Sequence, residues 1–354
     1  MKTDTKQVFG HRLSQARRMR GLSLRQLAEL LQPAVSHNAL HKYEQGAMMP
    51  DSTVLLSLCR TLGQKPDFFL RAPTVELAGV EFRKRASLPA AQVTALREKA
   101  NDFFERYTEI ETLLSVRREF ASPLTKFEIH EAADVEQAAV RLRDAWQLGR
   151  DPIPSVVSLL EDRGIMVYEA DAPDGFEGFA GHAGETPVMV LSGNRPADRL
   201  RLTALHELGH LVLHFHDALF DAKEREQLCH RFAGAMLIPE QEFTEAFGGH
   251  RAKISTAELV AMKVRFGMSC QAIMMRARDL ALISPSTLKR FCILWRKWKY
   301  HVKEPGVWRG EETAARFAAL VYRAAANEEV SVTKAAYLMG RPLAEFQKEL
   351  AVLE

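Results

Sequence analysis

Leu200-Arg201-Leu202-Thr203-Ala204-Leu205-His206-Glu207-Leu208-Gly209-His210-Leu211-Val212-Leu213-His214-Phe215 is an apolar run with the string H-E-x-x-H at its centre. Residues four apart share a helix face, so His206 and His210 point the same way if the run is helical. Their neutral imidazole nitrogens suit Zn²⁺, which takes tetrahedral N, O and S ligands; Mn²⁺ and Fe²⁺ accept similar ligands. Glu207 stands one position round the helix. There it is poorly placed as a ligand and well placed to take a proton from a water. Asn194 and Pro196 supply a helix start, with Asp198 in the first turn. His214 and His216 read as the helix end or as groups supporting the ligands.

A catalytic zinc site needs three protein ligands and one open position. The best candidate for the third is Glu226, sixteen residues after His210 in a second helical pattern ended by Pro239. Two antiparallel helices with a short loop bring it back over the histidines. Glu224 is the nearest competitor, and Cys229 and His230 also carry ligating atoms. His230 shares the face of Glu226 and reads as a supporting group, a transition-state hydrogen-bond donor or a packing residue. The strand-like stretch Pro187-Val188-Met189-Val190-Leu191 precedes the motif, and in zincin-type peptidases such a strand binds extended substrate by strand addition.

At 354 residues the chain suggests two or three domains. Its 47% hydrophobic and 26% charged content is that of a soluble globular protein. No apolar run reaches membrane-spanning length. The first residues, Met1-Lys2-Thr3-Asp4-Thr5-Lys6, lead into an amphipathic helix rather than an apolar leader, so a cytoplasmic location is expected. Four scattered cysteines, Cys59, Cys229, Cys270 and Cys292, fit that compartment and form no C-x-x-C pair. Net charge is only +3, so affinity for nucleic acid must come from local clusters. One such cluster lies between Thr5 and Ala28, which has no acid but holds Lys6, Arg12, Arg17, Arg18, Arg20 and Arg25.

Residues 8 to 70 read as five short helices. Phe9, Leu13, Ala16 and Met19 make the first apolar face, stopped by Gly21. Ser23 caps the second, broken at Pro33, and Ser36 or Asn38 starts the third. Asp51-Ser52 starts another, ended by Gly63. Two short helices about a turn form a helix-turn-helix. Leu27-Ala28, Val35-Ser36, Lys42-Tyr43-Glu44-Gln45-Gly46, Pro50 and Leu62-Gly63 together resemble the phage-repressor (Cro, XRE) helix-turn-helix family. The resemblance implies that the helix from about His37 to Glu44 enters the major groove of an operator. His37, Asn38, His41 and Lys42 would then face bases and phosphates, with Arg17 and Arg25 as further DNA contacts. The connection around Gln32-Pro33 is longer than the common form, and Leu24 stands where many members carry a polar DNA-contacting residue. Such readers usually bind paired half-sites, so a homodimer is expected.

Pro89 to Ser115 reads as one long helix with the stripe Val93, Leu96, Ala100, Phe103, Tyr107, Ile110 and Leu114. Helical patterns at Glu131 to Trp146 and Ser155 to Arg163 and strands at Gly164 to Tyr168, Phe176 to Ala183 and Pro187 to Ser192 follow. The tail has helical patterns at Ala314 to Ala325 and Ser331 to Leu338. Trp295, Trp298 and Tyr300 alternate with Arg296, Lys297 and Lys299 inside the acid-free stretch 289–303. They read as a platform for single-stranded nucleic acid or, the favoured reading, as an amphipathic helix with its aromatics inward.

Several motifs in residues 76–285 resemble the ImmA/IrrE family of metallopeptidases. They are Glu81-Phe82-Arg83-Lys84, Leu160-Glu161 with Gly164-Ile165, Arg201 with the H-E-x-x-H, Glu226-x-x-Cys229 with Phe232-Ala233 and Leu237-x-Pro239, and Phe266-Gly267-Met268-Ser269 with Ala272 and Arg276. The resemblance implies His206, His210 and Glu226 as zinc ligands and Glu207 as catalytic base, with His230 where many relatives carry Asn. It also implies a cytoplasmic regulator whose endopeptidase domain cleaves a helix-turn-helix repressor, or itself, to induce stress, phage or mobile-element genes. The other reading is a DNA-binding repressor or antitoxin-like regulator whose zinc domain is a sensor or scaffold. The expected architecture is mainly α with a small β-sheet: a DNA-binding domain at 1–72, a connecting segment at 73–125, a zincin-like domain at 126–285 and a helical C-terminal module at 286–354.

Overall fold

The computed structural model describes residues 4–79, 88–216 and 218–350; Glu81-Phe82-Arg83-Lys84 lies outside them. The expected α+β architecture is present. The reader is α1 (Thr5–Met19), α2 (Leu24–Leu30), α3 (His37–Glu44), α4 (Ser52–Leu62) and α5 (Pro66–Leu70). Local chemistry sets the boundaries. Ser23 and Gln26 form a capping box at α2, Ser36 accepts from Ala39 N, Asp51 accepts from Val54 N, and Gly63 ends α4 at φ 70°. Phe9, Leu13, Leu27, Leu40, Leu58 and Phe69 fill the core between these helices. Gly10 permits the close approach of α1 to α3: a Cβ there would meet the Glu44 carbonyl oxygen at 2.5 Å.

After β1 (Leu77–Ala78) comes the long helix α6 (Ala90–Leu114). Its buried stripe is Leu96, Ala100, Phe104, Tyr107 and Ile110. The expected Phe103 is half-buried against the same core and stacks on Tyr168 at 4.3 Å, and Phe104 beside it is the residue the sequence reading left out. α6 also holds the reader. Fully buried Arg12 of α1 pairs with Glu105 at 2.8 Å and donates to the Arg71 and Ala72 carbonyls. Arg71 pairs with Glu109 at 2.9 Å. Part of the basic run therefore fastens the reader to the rest of the chain.

β2 (Glu128–Ile129), α7 (Ala132–Ala145), α8 (Val156–Asp162), β3 (Met166–Ala170), β4 (Gly178–Ala183), β5 (Thr186–Ser192), α9 (Ala197–Val212), β6 (His214–Phe215) and α10 (Ala222–Leu237) follow. The sheet order is β1-β4-β5-β3, with β3 parallel to β5 and the other pairs antiparallel. β5 is buried along its whole length. Alternate residues face opposite sides: Met189 and Leu191 enter the core of α7 to α10, while Val188 and Val190 face α6. The expected extension of α9 through His214 does not occur. The helix stops at Val212, and His214–Phe215 pair in parallel with β2.

α11 (Glu240–Phe247), α12 (Thr256–Phe266), α13 (Cys270–Asp279) and α14 (Pro285–Lys297) extend the first core. α15 (Arg316–Ala326), α16 (Val332–Leu338) and α17 (Leu343–Glu349) close over α6 and the outer face of the sheet. A strap between α14 and α15 is held by reciprocal capping. Glu304 accepts from the Cys270 and Gln271 amides at the start of α13, and Glu312 from Val156 and Val157 at the start of α8. In return Glu161 accepts from the amides of Ala315 and Arg316. Trp295 is buried against Phe291 and Tyr300, as the amphipathic reading expects, but Trp298 is 47% exposed.

Two outcomes are expected. Glu105→Ala leaves Arg12 charged and buried without its partner, which lowers stability by about 3–5 kcal/mol in denaturant unfolding. Burial pushes the Glu161 carboxyl up to about 7, against the lowering effect of its amide donors. The folded chain then holds that proton more tightly than the unfolded chain, whose glutamates titrate near about 4.3. Its contribution to stability is complete below that value and declines as pH rises to about 7. The unfolding midpoint of Glu161→Gln should lack this part of the slope when measured at pH 5, 6 and 7.

Candidate metal centre and DNA-reading face

α9 and α10 pack antiparallel because Gly209 leaves room for Cys229 and Phe232: a Cβ at Gly209 would stand 3.3 Å from each. This contact brings Glu226 over the H-E-x-x-H face. His206 Nε2 lies 3.1 Å from His210 Nε2 and 3.2 Å from one Glu226 oxygen, and His210 Nε2 lies 3.5 Å from the other. Ligand atoms held about 2.0–2.1 Å from one ion in a tetrahedron are about 3.3–3.4 Å apart. Two imidazoles and a carboxylate at these separations fit such an ion.

The competing candidates separate clearly. Glu224 caps α10 in a box with Asp221. Cys229 lies behind the cluster, with Sγ 3.4 Å from His210 Nδ1. His230 stacks on His206 at 4.0 Å, and His206, Glu226 and His230 offer ligand atoms within 4.8 Å of one another. Glu207 is buried and lines the same cavity. Arg201 is a structural group. It is fully buried, donates to the Ile153 carbonyl at 2.6 Å, lies over Trp308 and faces Glu312 at 3.6 Å. Burial pulls its pKa down to about 10, against the raising effect of Glu312.

The cluster opens into a cavity of about 1370 Å³ walled by β4, α9, α10, α13 and the first turns of α6. The expected substrate strand, Pro187–Leu191, lies in β5, which has neighbours on both edges and contributes no residue to the cavity lining. β4 lines the cavity through Gly178 to His182, with β1 paired to its other edge only at His182 and Ala183. The sequence reading also passed over Arg199, which lines the cavity one heptad before His206; that spacing was the available signal.

On the reader, His37, Asn38, His41 and Lys42 are all exposed on α3, and Arg25 is exposed on α2. Arg17 differs. Its guanidinium is bidentate to Glu44 at 2.6 and 2.9 Å and donates to the Leu22 carbonyl, so it braces α1 against α3 rather than offering itself to phosphate. Six residues separate α2 from α3, more than the usual three or four, and Leu24 packs on the reader core.

Residues 8–67 match a helix-turn-helix domain family, and residues 160–278 match the peptidase M78 family described as IrrE N-terminal-like domain. Both matches lie in this one chain. No curated protein matches it. Among solved structures, the apo form of the competence regulator ComR from Streptococcus vestibularis aligns over 99% of this chain and 100% of its own, at 10% identity and a TM-score of 0.18; so loose a superposition carries no argument. The His/Glu cluster lies inside the span that matches the peptidase family. Among the described residues no helix is long and apolar enough to cross a membrane.

His206→Ala and Glu226→Ala are each expected to abolish metal binding. Elemental analysis of the purified chains should give about one equivalent in the unmodified protein and none in either variant.

Proposed function

We propose that the chain is a DNA-binding transcriptional regulator with a zinc-dependent, site-specific endopeptidase. The observation that carries this is the meeting of His206, His210 and Glu226 at ligand separations on the wall of a large cavity, with Glu207 beside them. His206, His210 and Glu226 would hold the zinc. When bound, it supplies Lewis acidity that polarises the scissile carbonyl and makes a neighbouring water more acidic. Glu207 takes the proton as the water oxygen bonds to the carbonyl carbon, then passes it to the amine nitrogen as the C–N bond breaks. His230 donates a hydrogen bond toward the oxyanion. The backbone of β4 orients the peptide in extended form.

The exposed groups His37, Asn38, His41 and Lys42, with Arg25, support operator recognition by α3, and paired half-sites favour a homodimer. A reader and a peptidase in one chain favour a helix-turn-helix repressor, or the chain itself, as the protein substrate. Cleavage would then release stress, phage or mobile-element genes in the cytoplasm.

A second reading rests on His230. If it joins the other three ligands, the site is closed, as structural zinc sites are, and the domain acts as a sensor or scaffold behind a DNA-binding repressor. Glu207→Gln separates the two. Under the peptidase reading it keeps its metal and loses cleavage of the repressor by roughly 10²–10⁴-fold, followed by gel analysis beside metal content. Cleavage at the unmodified rate would sink the mechanism, and full regulation in cells by the variant would favour the sensor.

A further inference from the structure

We propose that Arg199 selects a carboxylate on the peptide bound in the cavity; this rests on the peptidase reading. Five arginines line the cavity, and four are engaged. Arg195 faces Glu177 at 4.0 Å, Arg225 donates to the Phe220 carbonyl at 3.2 Å, Arg276 pairs with Glu136 at 3.0 Å, and Arg278 donates to Asp279 at 3.0 Å. Among the described residues, nothing pairs with the side chain of Arg199. Its neighbour Asp198 turns the other way, to Lys263 at 2.9 Å.

The position makes this charge unusual. Arg199 is the third residue of α9 and half-buried. The helix N-terminus carries partial positive charge and disfavours a cation there, and partial burial removes some of the water that would screen it. A cation lining a cavity with no partner among the described residues has its complement in an incoming anion. A carboxylate would gain a charge-assisted, fork-shaped partner.

Distance fixes where that carboxylate lies in the substrate. Arg199 precedes His206 by seven residues on the cavity-lining face, about 10.5 Å along the helix. An extended peptide advances about 3.3–3.4 Å per residue. The selected Asp or Glu is therefore about three residues from the scissile bond, and the reach of the arginine widens this to between two and four. A C-terminal carboxylate at the same distance satisfies the same chemistry.

The test is a positional library of decapeptides, half with free and half with amidated C-termini, cleaved by the zinc-loaded chain and read by mass spectrometry. Expected is enrichment of Asp and Glu at one position two to four residues from the cut. Arg199→Gln should lose this preference by roughly tenfold to hundredfold in kcat/KM for acidic peptides, with neutral peptides cleaved as before. Arg199→Glu should favour Lys and Arg instead. Enrichment confined to free-ended peptides assigns the carboxylate to the C-terminus. Cleavage with no acidic preference, or the same preference in both variants, overturns the proposal and leaves the peptidase reading intact. If nothing is cleaved, that reading fails. Arg199 is then judged by fluorescence anisotropy of labelled acidic and amide-substituted decapeptide pools on zinc-loaded Glu207→Gln, where tighter binding of the acidic pool that disappears with Arg199→Gln supports the proposal and equal affinities overturn it. Thermal unfolding of both Arg199 variants should match the unmodified chain.

Discussion

The contact of Gly209 with Cys229 and Phe232 sets the distance between α9 and α10, and the candidate metal centre depends on that distance. Two helices separated by larger side chains would leave Glu226 short of the histidines, since interaxial spacing follows the residues at the crossing. Here the missing side chain brings the backbone of α9 close to Cys229 and Phe232. The carboxylate then meets two imidazoles whose own separation is fixed by one helical turn. β4 lies over the other side of α9, where Gly178 meets Thr203 with little room for a Cβ. One cavity wall and the ligand cluster thus rest on close approaches at two glycines.

The second organising feature is α6. It presents Glu105 to the reader, the stripe around Phe104 and Tyr107 to the outer face of the sheet, and its first turns to the cavity. It seats the reader through a buried ion pair, Arg12 with Glu105, whose charges have little access to water.

Much of this was legible in the chain because it is local. Helical spacing gave His206 and His210, the helix-loop-helix pattern gave Glu226, and capping residues gave the reader helices to within a residue or two. What stayed hidden depends on partners distant in sequence. Arg17 looks like a phosphate contact until Glu44, on another helix, is seen to take it. The Pro187–Leu191 strand looks like an edge because its alternation carries no information about strand order; β3 arrives on one side and β4 on the other. Trp295 and Trp298 are three residues apart in the same basic context and both meet Tyr300; the packing of Phe291 on Trp295 separates the buried ring from the exposed one. Arg199 offers the sequence only its heptad spacing from His206, and the engagement of its neighbours elsewhere is seen only in the fold.

The reciprocal caps of the strap have a temporal meaning. Synthesis delivers the reader, the sheet and the metal-ligand helices first, but Glu304 and Glu312 come later and complete the ends of α13 and α8. Until they emerge from the ribosome, buried amides of both helices lack acceptors and Arg201 lacks its carboxylate. The cavity of a nascent chain therefore lacks two of its helix caps until the strap has been made, and its walls are completed only when translation is nearly over.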